Sequence, residues 1–300
     1  MVDFVCIGDA TQDNFFFVSD ASVHCDLNNA NCELTLRYGD KIPVERIGQS
    51  LGGNAANVSV GLSRLGIATN LVTIFGDDER GVWIKKQLMQ NNVNLDQSFI
   101  EPKRESNLSS IIVFKQERTI LSFHSHGGKD IENIPPAKWL YLTSSPGPNS
   151  VGLFEKVLAF KNDYPEAKLI YNPYPVDLKN GKDFLQEIVL KSEILVVNKQ
   201  EQETLGMFSP QMTVVTDGEN GAAVFENGKK VASQPSVASE VLEVTGAGDA
   251  FSSGFLGALY YNKDVETALS WGLKNSASVI SKIGAIEGLL TKTDLDAGKS

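Results

Sequence analysis

The sequence predicts an α/β fold: a parallel sheet with helices on both faces, carrying a smaller β layer. Three observations lead there. Apolar runs of strand length alternate with helix-period segments along most of the chain. Two segments, about 14–50 and 107–123, break that alternation with strand-like pieces alone. The chain then closes with two long helical patterns, about 247–262 and 265–282.

In chain order, FVCIG is the first strand, buried by its composition. NAANVSVGLSRLG reads as a helix: Ala55, Val58, Leu62 and Leu65 share one face, and Gly66 suits its C-terminal end. NLVTIFG is a strand and ERGVWIKKQLMQNN a helix. KWLYLT, AKLIYN, EILVVN and MTVVTDG are further strands, separated by helical or loop sequence. This order implies parallel pairing with helices on both faces. The interrupting segments hold FFFVS, ELTLRY and PVERIG in the first case, and a hairpin about KQER in the second. Both read as one antiparallel accessory layer. A layer over the C-terminal ends of the parallel strands would cover the place where open α/β sheets bind ligands. No repeat or low-complexity linker divides the chain, so residues 1–300 are expected to form a single unit.

The formal net charge is −10, which gives no broad electrostatic reason to bind nucleic acid or an anionic membrane. An anionic ligand must then be held by local dipoles, a few bases or a metal ion. No run approaches the ~18 apolar residues of a membrane span, and the N-terminus reads as a strand rather than a signal peptide. The three cysteines are Cys6, Cys25 and Cys32. Cys25 and Cys32 are near enough in sequence to bridge. The odd count and the lack of a CxxC point instead to free thiols in a reducing cytoplasm.

The stretch TGAGDAF, Thr245–Phe251, carries the strongest chemical signal. A helix start exposes unpaired N–H groups and favours an anion. Gly246 and Gly248 let backbone approach a phosphate closely, while Phe251, Phe255 and Leu259 recur at helical spacing behind them. Asp249 in that first turn is either a capping acid or a chemical group. The sixth position of a GxGxxG fingerprint is Phe251, and no GxxxxGK[ST] occurs, so neither a dinucleotide fingerprint nor a Walker loop is complete.

Weaker motifs surround it. In SLGGNAANV, Gly52 and Gly53 permit a tight turn, and Asn54 and Asn57 offer amides suited to hydroxyls or to capping. In VVNKQE, Asn198 and Glu201 could hold the water shell of Mg²⁺ or form a helix cap. In TDGENG, Thr216, Gly218 and Gly221 are hairpin residues or a phosphate loop. In GDATQD, Asp9 and Asp13 follow the first strand, where they could accept hydrogen bonds from hydroxyls or lie solvated. FHSHGGKD, with two of the three histidines, reads as a turn rather than a metal site.

Taken in order, GDATQD, GGNAANV, GDDERG, NKQE, TDGENG and TGAGDAF resemble the ribokinase-like carbohydrate kinases, the PfkB family, over nearly the whole chain. The resemblance implies a three-layer α/β/α sandwich with a β-sheet lid, formed here by about 14–50 and 107–127. It implies transfer of the γ-phosphoryl of ATP to a hydroxyl of a small carbohydrate. Asp249 would be the general base and Gly246, Ala247 and Gly248 the anion hole. Asn198 and Glu201 would organise Mg²⁺ through water. Thr216, Gly218 and Gly221 would surround the nucleotide phosphates, and Asn275 would lie beside the adenine. Asp9, read as a hydroxyl acceptor, completes a sugar site with Asp13, Gly53, Asn54 and Asn57.

The pattern departs from the family in places. Thr11 stands where ribokinase-type chains carry Asn, and Ser144 and Ser145 stand where ribokinase has an acid on its sugar. Glu243 and Val244 replace Asp and Thr in the run before TGAGD, which leaves activation by K⁺ in question. A free sugar or sugar acid is the first expectation for the acceptor, then a nucleoside, then a sugar phosphate. A phosphosugar would want a basic pair near the lid, for which Arg37, Lys41, Arg46, Arg104 and Lys129 are candidates. A non-catalytic binder is the rival class, and a dinucleotide-dependent oxidoreductase another. Exposed lid edges invite pairing with a second copy.

Overall fold

The structure, a computed structural model, describes residues 2–26, 32–115, 117–125, 131–143, 150–173, 182–206 and 210–297. Ser144, Ser145, Lys129 and parts of the 24–32 and 123–130 stretches lie outside the described residues.

Six strands form the parallel core of the main sheet: β1 (Val2–Ile7), β6 (Thr69–Val72), β11 (Ala137–Leu142), β12 (Lys168–Tyr171), β13 (Ile194–Asn198) and β14 (Met212–Thr216). β15 (Ala222–Glu226) and β16 (Lys229–Gln234) extend one edge in antiparallel fashion, giving the order β16-β15-β14-β13-β12-β11-β1-β6. NLVTIFG does not run as one strand. It breaks at Thr73, and β7 (Ile74–Gly76) turns away to pair with β8 (Phe99–Glu101).

The period-2 alternation of the strands sends successive side chains to opposite faces. Phe4, Cys6, Tyr141 and Val196 pack beneath α1 (Asn54–Arg64), α2 (Glu79–Gln90), α6 (Ala247–Tyr260) and α7 (Val265–Ile280). Val5, Ile7, Leu142 and Val197 pack against α3 (Ser150–Asp163), α4 (Lys182–Lys191) and α5 (Lys199–Leu205). A short α8 (Lys292–Asp296) follows α7. The result is the three-layer α/β/α arrangement. Helices α1 and α6 cross closely because Gly61 carries no side chain; a Cβ there would overlap Ser253 Oγ.

The lid is a four-stranded sheet in the order β10-β9-β2-β5, from β2 (Thr11–Val18), β5 (Val44–Gly52), β9 (Leu108–Phe114) and β10 (Glu117–Phe123). It is mixed rather than antiparallel. β2 runs parallel to β9 because the two come from distant parts of the chain, with no hairpin turn to reverse them. Periodicity within each strand carries no information on that direction. A separate hairpin, β3 (Ser22–Cys25) with β4 (Cys32–Thr35), extends from the lid. Cys25 and Cys32 face each other there and form a disulfide, contrary to the free thiols expected; only Cys6 is free, and it is buried. The antiparallel register places the two side by side, which the odd cysteine count could not reveal.

Candidate active site

The C-terminal ends of β13 and β14, the start of α6 and the lid meet around a cavity of about 220 Å³. Helix α6 begins at Gly246, whose φ of 78° is left-handed, and a Cβ there would collide with Ala285. Glu243 sets the turn: its Oε1 accepts hydrogen bonds from the N–H and hydroxyl of Thr245. Among the described residues the N–H groups of Gly248 and Asp249 have no protein acceptor, so the helix start is free to bind an anion. A Cβ on Gly248 would meet no atom within 4 Å, which leaves open space where a ligand can approach the backbone.

Asp249 does not cap this helix. The N-cap is Gly246, without a side-chain cap bond. Asp249 is 9% exposed and accepts a 2.8 Å hydrogen bond at Oδ2 from Asn57 Nδ2. Burial pushes its pKa up to about 7; the nearby Asp13 adds to the rise and Asn57 opposes it. A carboxylate poised near neutrality suits proton abstraction. Asn57 Oδ1 is itself buried with no donor.

The other expected residues divide into groups. Asn54, Asn198, Glu201 and Thr216 line the same cavity as Gly246, Ala247, Gly248 and Asp249. Asn198 and Glu201 also form a capping box: Asn198 Oδ1 accepts from the N–H of Glu201, and Glu201 Oε2 accepts from the N–H of Asn198, both at 2.9 Å. The cap holds the Glu201 carboxylate at the cavity wall, where burial raises its pKa. Gly218 lies beside Asn198 and Thr216 in an adjoining groove of about 470 Å³. Gly221, with φ 94°, packs under Gln234 and Pro235, so it serves the β14–β15 hairpin.

Asp9, Asp13 and Gly53 gather where β1, β2 and α1 meet. Gly53 has φ 94°, and a Cβ there would strike the Asp9 backbone; its absence lets the Ala56 N–H donate to the Asp9 carbonyl. Asp13 Oδ1 accepts from Thr11 Oγ1 at 2.8 Å, so the hydroxyl that replaces the family's Asn is spent on Asp13. Burial lifts the Asp13 pKa to about 6, with Glu243 and Glu287 adding to it and the Thr11 and Ser109 hydroxyls opposing. Asp9 Oδ2 lies 3.6 Å from His124 Nδ1, and Asn107 donates to its other oxygen at 3.5 Å.

Asn275 is elsewhere. It is fully buried between α6 and α7, with Nδ2 donating to the Ala250 carbonyl and Ser253 Oγ, and Oδ1 accepting from the Leu290 N–H. These bonds tie α7 to α6 and to the segment before α8.

Among the polar lining residues, Arg118, Asn172 and Ser252 carried no expectation from the sequence. Arg118, on β10, reaches the cavity with its Nε 3.8 Å from Glu243 Oε1. Asn172, just after β12, donates to the Val196 carbonyl and accepts from the Tyr141 hydroxyl at the cavity wall. Nothing in ERTILSF marks Arg118, whereas the asparagine ending AKLIYN sits at a strand terminus and could have been flagged.

A family model described as pfkB family carbohydrate kinase matches residues 13–292. The chain belongs to the pfkB family of carbohydrate kinases. This pfkB-family kinase is similar to the ribokinase of Bacillus subtilis (strain 168), 27% identical over 273 residues that cover 82% of this chain and 86% of that protein. It is similar to the ATP-dependent 6-phosphofructokinase of Thermoanaerobacterium thermosaccharolyticum, 22% identical over 293 residues and covering 88% of each. A crystal structure of ribokinase from Cryptococcus neoformans var. grubii serotype A in complex with ADP matches with a TM-score of 0.81 at 21% identity, covering 99% of both chains. The fold is therefore ribokinase-like. No helix among the described residues is long and apolar enough to cross a membrane.

Proposed function

We propose that this kinase transfers the γ-phosphoryl of ATP to a hydroxyl of a small carbohydrate, with Asp249 as general base. One observation carries the reading. Asp249 stands among unpartnered helix-start amides yet is bound to Asn57, 192 residues away in sequence, instead of capping its own helix. An acid is thereby held beside an anion site, which is the pairing that phosphoryl transfer to an alcohol needs.

In this mechanism Asp249 takes the acceptor proton as the hydroxyl oxygen attacks the γ-phosphorus, and the bond from that phosphorus to the β–γ bridging oxygen breaks to release ADP. The amides around Gly246, Ala247 and Gly248 face the charge on the transferring group, where preorganised donors act most strongly. Arg118 brings a positive charge to the same cavity from the lid. The groove by Thr216 and Gly218 accommodates the nucleotide phosphates. Asp9, Asp13, Gly53, Asn54 and Asn57 form the acceptor side.

Asn198 and Glu201 fit Mg²⁺, which binds few carboxylates and keeps several waters. The capping box leaves Glu201 Oε1 without a hydrogen bond among the described residues. When bound, Mg²⁺ would neutralise phosphate charge. Glu243 Oε2, buried and unpartnered, is the chemistry a monovalent cation would meet, although Arg118 already supplies charge beside Oε1. We further infer that the protein pairs with a second copy through the exposed β10 edge of the lid.

The test is ADP release over a panel of sugars, sugar acids, nucleosides and sugar phosphates. Turnover on at least one, abolished in Asp249→Asn, is expected. Silence across the panel with retained ATP binding would turn the reading to a non-catalytic binder.

A further inference from the structure

The loop between α7 and α8 touches the lid and the start of α6 at once. Its Ala285 sits against Gly246, where a Cβ would come within 2.4 Å of the Ala285 Cβ. Ile283, on the same loop, packs against Phe15, Ile111 and Val113, the apolar cluster of the lid sheet. Farther along, both carboxylate oxygens of Glu287 lie within hydrogen-bond reach of Ser50 Oγ, at 3.0 and 3.1 Å. Ser50 is buried on β5, opposite Asp13 on β2.

The chain is shaped for that meeting. Gly284 has a φ of 97°, and a Cβ there would stand 2.5 Å from both Glu287 Oε2 and Ser50 Oγ. The loop is moored on its other side by α1 and α7. Arg64 donates to the Ile286 and Leu289 carbonyls at 2.6 and 3.3 Å, and the Leu290 N–H donates to Asn275 Oδ1 at 2.8 Å. Glu287 Oε2 also accepts from the Ile286 N–H at 3.2 Å. Ser50 Oγ has a second acceptor in reach, the Leu51 carbonyl at 3.0 Å. A hydroxyl has one proton to give, and a carboxylate is the stronger acceptor.

We propose that Glu287 is a positioning residue: its bond to Ser50 ties the lid to the loop that supports Gly246, so that the acceptor side and the anion-binding turn hold one geometry. Its kinetic consequence rests on the kinase reading above. From Ser50 the chain runs through the Gly52–Gly53 turn into α1, whose Asn57 binds Asp249. The strand that Glu287 holds therefore leads to the residue that orients the base. The loop that carries Glu287 braces the amides that face the phosphoryl group. Without the bond the two parts can drift relative to each other, and a misplacement of about 1 Å can cost about a hundredfold in rate.

The experiment compares Glu287→Ala and Ser50→Ala, which each remove the bond, with Glu287→Gln, which keeps an acceptor for the hydroxyl. Ser50→Ala carries the test if Glu287→Ala does not fold. With the acceptor turned over fastest in the ADP-release panel, kcat should fall about tenfold in each alanine variant while the KM for ATP changes by less than about twofold. Glu287→Gln should recover most of that loss. The double alanine variant should be no slower than either single one, because both remove the same interaction. Amide exchange reads the link without any acceptor. The Ala250 N–H, bonded to the Gly246 carbonyl at 2.8 Å, should exchange about fivefold faster in the alanine variants than in the parent or in Glu287→Gln. Unaltered exchange at Ala250 overturns the proposal, whether or not an acceptor turns over. Faster exchange with unchanged kcat, or with losses that add in the double variant, makes Glu287 a structural brace alone and overturns it as well. Silence of the parent on every acceptor overturns the kinase reading, and exchange at Ala250 then decides the link by itself.

Discussion

Asn57 Nδ2 donates a 2.8 Å hydrogen bond to Asp249 Oδ2, joining the first turn of α1 to the first turn of α6. The bond orients the carboxylate and opposes the rise that burial imposes on its pKa. In Asn57→Ala that opposition is lost, and the Asp249 pKa should climb further above about 7. The acid limb of the pH–rate profile would then move to higher pH. An unmoved limb would show that Asp249 is not the group whose ionisation governs turnover.

The same burial affects stability with a definite sign. Asp13 and Asp249 have folded pKa values of about 6 and about 7, against 3.8 when unperturbed. Between those limits the folded chain holds more protons than the unfolded one, so their contribution favours folding at low pH and is lost as pH rises through about 6 to 7. Asp249→Asn removes one of these ionisations. The variant should melt above the parent at pH 8, with a smaller gap at pH 5. Its turnover should fall about a hundredfold or more. A melting gap independent of pH would contradict the assignment.

Gly248→Ala separates fold from function. The added methyl meets nothing within 4 Å, so stability should change by less than about 0.5 kcal/mol. It projects into the space where the anion must sit, so kcat/KM should drop at least about tenfold. Thermal melts and ADP release on the same preparation decide it. Normal kinetics would place the phosphoryl group elsewhere.

Arg118→Gln removes the lid's positive charge beside Glu243. Turnover should fall about a hundredfold, and the thermal shift given by ATP should shrink. Because Arg118 is partly exposed, the melting temperature without nucleotide should scarcely move. A loss of stability with normal turnover would make Arg118 a packing group for the lid.

Much of this protein was legible in its sequence. Strand alternation and helix spacing are local, so they revealed the layers, both long C-terminal helices and the hairpin that became β9 and β10. The glycine-rich helix start is also a local signature, and it marked Gly246, Ala247, Gly248 and Asp249 correctly as one turn. The strand-end position of Asn198, with Glu201 in the next helical turn, was visible for the same reason.

Relations between distant segments were decided only by the tertiary structure. The parallel pairing of β2 with β9, the facing of Cys25 and Cys32, and the reach of Arg118 and Glu287 depend on how separate elements dock. The bonds of Asn275 depend on the same docking, its amide donating to the Ala250 carbonyl of α6. Periodicity constrains the face a residue occupies, not the neighbour it finds there.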